Sequence, residues 1–210
     1  MTDRKEVERI SLPEGRLINE SLFVKDQFDP NSTPQYNIEL AFDREVLNDI
    51  EDKPAAMAKE FWGAGANEDY WDGKIRSPIL SGDDMAAKRE AEGKTGDAYK
   101  GKLVIRAHTK FNKHGAEGPG GVQVFGPDVQ PIEGVESGEI YPGLYGVALV
   151  TIGSYKENVT GRNALMLYLN AFQKTRDGEP LVSAADHSQA FKPVGRDQDG
   201  GTGGRRRRAG

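Results

Sequence analysis

The stretch YPGLYGVALVTIGSYKENVTGRNALMLYLNAFQKTRDGEPL, residues Tyr141–Leu181, decides the fold. It contains two apolar runs, Leu144–Tyr155 and Ala164–Phe172, joined by a polar connection that carries Gly161. Both runs are of strand length and are bounded by turn residues, which predicts a β-hairpin. Asp177-Gly178 is a strong turn signal at its end. In the second run Leu165, Leu167, Leu169 and Ala171 alternate with Met166, Tyr168, Asn170, Phe172 and Lys174. The leucine row reads as core. The opposite row, with Tyr155 and Lys156 on the preceding strand, gathers aromatic rings beside cations.

Working outward, Gln35–Phe42 alternates Tyr36, Ile38, Leu40 and Phe42 with Gln35, Asn37, Glu39 and Ala41, the period of a strand with one buried face. Arg16–Val24 reads as an earlier strand, and Lys102–Phe111 and Val122–Phe125 as later ones. Between them the period changes. Asp43 is a good N-cap for a helix over Arg44–Asp52, and Pro54 is placed to start a second helical piece that Gly63 ends. Asn67–Lys100 reads as a long acidic surface excursion, helix-permissive only over Asp83–Glu92. The expected fold class is mainly β with one or two inserted helices. About six strands fit either an OB-fold-like five- to six-stranded barrel or a β-sandwich with an inserted helix. The expected organisation is one domain over 1–195, with an insertion at about 43–100, and a flexible Gly/Arg tail over 196–210.

The 36% hydrophobic and 29% charged composition is that of an ordinary globular chain. There are no cysteines, so disulfide and thiolate chemistry is excluded. No apolar run approaches the roughly 18 residues of a membrane-spanning helix, and the first residues lack the apolar run of a signal peptide. A cytoplasmic location is expected, in the host cell if the chain is phage-encoded. The net charge of −5 hides a gradient: residues 43–99 carry 8 basic and 14 acidic groups, whereas 196–210 carry 5 and 2. Local positive charge, not the net value, decides whether a face suits nucleic acid.

Three constellations carry chemistry. With Leu103, Ile105 and Ala107 turned to the core, Lys102, Arg106, His108 and Lys110 share the other face of one strand. An ordinary solvated face explains this row equally well. The hairpin face offers Tyr155, Lys156, Tyr168, Phe172, Lys174 and Arg176. Rings that stack bases, set beside cations that track phosphates, suit single-stranded nucleic acid; burial of Phe172 and Tyr168 under the helix or the long loop is the competing reading. Third, Arg205, Arg206, Arg207 and Arg208 follow a Gly-rich linker and read as a disordered cationic arm. Enzyme signatures are poor. There is no P-loop, GxSxG or HExxH, and His108, His114 and His187 lack metal-ligand spacing. Catalysis, metals and cofactors are not expected.

The order QYNIELAFD, PILSGDD, YKGKLVIRAHTKF, YPGLYGVALVTIGSY and GRNALMLYLNAFQKTRDGEPL resembles a family of phage-encoded single-stranded DNA-binding proteins with an OB-fold. These are similar in plan to the replication single-strand binders of podophages. The resemblance spans about residues 9–181. It implies a barrel that coats single-stranded DNA during replication, recombination and repair, with no cofactor. Phage replication or recombination proteins and a second copy of the chain stand as further candidate partners. Such proteins usually end in an acidic tail that recruits replisome partners, whereas this chain ends in arginines, so that role is not carried over. The alternative is a non-enzymatic β-rich phage structural or assembly protein with a basic arm.

Overall fold

The computed structural model describes residues 9–27 and 32–181. Its strands are β1 (Arg9–Ser11), β2 (Gly15–Glu20), β3 (Tyr36–Phe42), β4 (Ile79–Ser81), β5 (Leu103–Thr109), β6 (Gln123–Phe125), β7 (Tyr145–Lys156) and β8 (Asn163–Arg176). The α-helices are α1 (Asn48–Trp62), α2 (Ala66–Trp71) and α3 (Gly82–Ala91). The tail over 196–210 lies outside the described residues.

Five strands close on themselves. β2 pairs with β3, β3 with β5, β5 with β8, β8 with β7, and β7 returns to β2. All neighbours in this circuit are antiparallel except β5 and β8, which run parallel. A closed five-stranded circuit of this order is an OB-type barrel. The sandwich is set aside, because it would leave two sheets with separate edges. β1 adds to β7, β4 to β5 and β6 to β8.

The alternation seen in the sequence fills the barrel. Leu17, Ile38, Leu40, Ile105, Ala107, Val150, Ile152, Leu165, Leu167 and Leu169 belong to one buried cluster. Ala55 and Ala58 of α1 and Ala66 and Tyr70 of α2 join it, so the helices are packed against the barrel core. Pro54 lies inside α1, where a helix start was expected. Gly63, at φ +96°, ends the helix as expected.

The acidic excursion is more regular than its composition implied. Ala86 of α3 and Tyr99, from the segment after that helix, form a small second core with Ala41 and Val104 on the outer side of β3 and β5. The approach is close: a Cβ at Gly82 would lie 2.1 Å from the Tyr99 carbonyl oxygen. Segment 76–81 wedges between β5 and β8, with Leu165 N donating to the Arg76 carbonyl at 3.0 Å. β4 pairs with β5 through Ile79↔Ile105.

Candidate nucleic-acid interface

Since α3 and Tyr99 cover one part of the outer face of β3 and β5, the part left open defines the candidate site. There Asn37 pairs with His108 across β3 and β5, and His108 pairs with Tyr168 across β5 and β8. Two clefts cover this face. One is lined by Asn19, Asp26, Gln35, Asn37, Glu39, Arg106 and His108, among others. The other is lined by Gln35, His108, Lys110, Phe111, Thr151, Gly153, Met166, Tyr168 and Asn170, among others. They share Gln35 and His108, so they form one trough across the strands.

Two glycines of β7 sort the rings of β8. A Cβ at Gly153 would lie 2.4 Å from Tyr168 Cε2, so on the outer face the Tyr168 ring covers Gly153. A Cβ at Gly146 would lie 2.3 Å from Phe172 Cζ, inside the barrel. Tyr168 is 39% exposed and Phe172 only 1%. The placement of Phe172 on the binding face is therefore corrected. Its cause is a β-bulge: Leu149 pairs with Ala171 but Val150 with Leu169, leaving Asn170 as the extra residue. One extra residue inverts the alternation beyond it. The same inversion buries Lys174, which donates to the Glu139 carbonyl at 3.1 Å and pairs with Asp177 at 2.7 Å. Lys174 braces the turn, not the trough.

The other expected contacts divide. Arg106 and Lys110 line the trough. Tyr155 stands two residues beyond Gly153 on β7 and Lys156 is exposed at the end of that strand, and neither lines either cleft. Lys102 lies outside both clefts and pairs with Asp43 at 2.5 Å. Arg176 also lies outside them, pairing with Glu14 at 2.7 Å and stacking on Tyr145 at 3.4 Å. Arg205–Arg208 fall outside the described residues. Phe111 was missed in the sequence, yet it is 43% exposed, lines the trough and has the Lys110 ammonium 5.4 Å from its ring.

The cations of this row are paired with carboxylates. Lys110 meets Glu117 at 2.5 Å, and Arg106 meets Glu39. The hydrogen bond from Lys110 holds the Glu117 carboxyl below its usual range. Exposed pairs of this kind are weak, so a phosphate competes for such a lysine at small cost. Glu39 differs, being 4% exposed. The Tyr99 hydroxyl donates to Oε2 at 2.7 Å and Arg106 Nε donates to Oε1 at 2.8 Å. Burial, and then the Glu39 acceptor and its charge, push the Tyr99 pKa well above tyrosine's usual range, so it remains a donor. Burial, then Arg106, lowers the His108 pKa. The trough floor thus presents a neutral imidazole, amides and a ring. Among the described residues no group of three or more His, Cys, Asp or Glu is placed to hold a metal ion.

A closed barrel, an outer trough with an exposed ring at its centre and cations along it invite comparison with known proteins. A family model described as the ssDNA-binding protein of Enterobacter phage Enc34 matches residues 9–201. The chain belongs to this family. Among solved structures, it is similar to the single-stranded DNA-binding protein of bacteriophage Enc34 in complex with ssDNA. That match has 17% identity and a TM-score of 0.59, and covers 83% of this chain and 89% of that one. It is also similar to gp2.5, a single-stranded DNA-binding protein encoded by bacteriophage T7, at 12% identity and a TM-score of 0.56, covering 90% of this chain and 97% of that one. At such identities the structural likeness speaks for the fold, and the barrel circuit agrees with it. No curated protein matches the sequence. None of the described helices is long and apolar enough to cross a membrane.

Proposed function

We propose that the chain is a sequence-independent single-stranded DNA-binding protein acting in phage DNA replication, recombination and repair. The observation that carries this reading is the trough over β3, β5, β8 and β7, where Tyr168 and Phe111 are both exposed and Arg106 and Lys110 stand beside them. Strand-face binding of oligonucleotides is the usual mode of an OB barrel, and membership of the family supports the same ligand. Tyr168 and Phe111 stack bases. Arg106, Lys110 and Lys156 meet phosphates, and Tyr155 extends the stacking row. Lys102 and Arg176 reach only a strand that continues past the trough. Arg205–Arg208 add affinity without sequence preference. The protein works without a cofactor and without catalysis, in the host cytoplasm.

Duplex DNA has no unstacked bases to offer the rings, so preference for single strands is the discriminating property. Fluorescence anisotropy with labelled oligothymidine and a duplex of equal length tests it. Clear preference for the single strand is expected. Equal binding to both, or none, would leave the structural-protein alternative, which neither the family nor the trough favours.

A further inference from the structure

We infer that Tyr99 and Glu39 are positioning residues that hold the Arg106 guanidinium in the trough, so that the acidic excursion sets the geometry of the strand-binding face. The inference rests on the proposed reading of that face as the single-stranded DNA site. Its starting point is how Arg106 is held. Glu39 and Arg106 are cross-strand partners on β3 and β5. Both Nε and Nη2 of Arg106 converge on one carboxylate oxygen, Oε1. The stronger arrangement for such a pair is a fork in which two nitrogens address two oxygens. Here Oε2 instead accepts the Tyr99 hydroxyl at 2.7 Å, and the guanidinium is left on Oε1.

Tyr99 is held firmly enough to do this. Its ring is buried with Ala41, Ala86 and Val104, and the Arg89 guanidinium lies 5.1 Å from its centroid. The tight approach of Gly82 to the Tyr99 carbonyl fixes the backbone. Freed of the phenol, Oε2 would draw Arg106 down into the two-oxygen fork and away from the smaller cleft, which it lines with Asn37 and His108. Tyr99 thereby keeps a strong ion pair in the less closed of its two forms.

A binding cycle tests this in the full-length protein, using oligothymidine as probe and a thermal melt for each variant. The variants are Tyr99→Phe, Arg106→Gln (which keeps a donor for Glu39) and the double substitution. Arg106→Gln should weaken binding. Tyr99→Phe should weaken it by roughly three- to tenfold, the worth of one hydrogen bond, and should add nothing once Arg106 is replaced. A folded Tyr99→Phe protein that binds like the wild type overturns the inference. So does a loss of the same size in the Arg106→Gln background, which marks a purely structural tyrosine, or an Arg106→Gln protein of undiminished affinity. If Tyr99→Phe does not fold, Glu39→Gln, which keeps an acceptor for the phenol, takes its place in the cycle with the same expectation. A wild-type protein that binds no oligothymidine overturns the single-strand reading itself, an outcome distinct from all of these.

Discussion

Tyr168 lies over Gly153, with the missing Cβ of the glycine 2.4 Å from the ring's Cε2. The glycine leaves room for the ring on the outer face, and the ring stays 39% exposed. Tyr168→Ala should weaken single-strand binding by about 1–3 kcal/mol, the cost of one lost stacking platform, with little change in thermal stability. Gly153→Ala should weaken binding as well, because its methyl displaces the ring, and should have no further effect in a Tyr168→Ala background. Anisotropy titration of the three variants is the measurement. Binding unchanged in both single variants would remove Tyr168 from the site.

Phe172 is expected to behave in the opposite way. It is fully buried against Gly146, and Phe172→Ala should cost about 3–5 kcal/mol of stability through the cavity it leaves. The fraction still folded should bind single strands as the wild type does. Urea denaturation followed by titration under folding conditions separates the two quantities. A stable variant with weakened binding would return Phe172 to the trough.

His108 gives a pH signature. Burial, and then the Arg106 charge, disfavour its protonated form, so its folded-state pKa lies below the ordinary 6.5. Between the two values the unfolded chain binds the proton better. Stability is therefore complete above 6.5 and is lost as the pH falls through that value toward the lower folded one. Melting curves of wild type and His108→Asn between about pH 8 and pH 5, a span set around the ordinary histidine value, should diverge on the acid side, with the wild type falling further. Parallel curves would show that the imidazole is not held neutral.

The arginine run at Arg205–Arg208 should appear in the salt dependence. Deleting residues 205–210 should flatten the slope of log affinity against log salt by roughly 0.7 for each phosphate contact removed. An unchanged slope would mean the arginines do not touch the strand.

The barrel was legible wherever one face is buried without interruption. β3 and β5 carry their inward rows Tyr36, Ile38, Leu40 and Phe42 and Leu103, Ile105 and Ala107 without a break, and their register pairs them along their whole length. The site was legible only in part, for two physical reasons. Alternation in Leu165–Phe172 is unbroken, so nothing in it marks the bulge at Asn170; the one available signal is Gly146 on the partner strand, which leaves room for a ring. The partners of the cations also come from distant sequence. Glu39 and Arg106 are 67 positions apart, and no local pattern links them. Phe111 escaped because its parity places it inside, whereas β5 ends at Thr109 and the chain has left the barrel wall by that point.

β8, the last of the described strands, pairs with β5, β6 and β7. Synthesis therefore reaches Asn163 with the barrel still open between β5 and β7. Until then the nascent chain carries unsatisfied edges on β5 and β7, the kind of surface that favours aggregation and chaperone capture. Closure depends on contacts of large sequence separation, such as Ala107 with Leu167, and this slows folding.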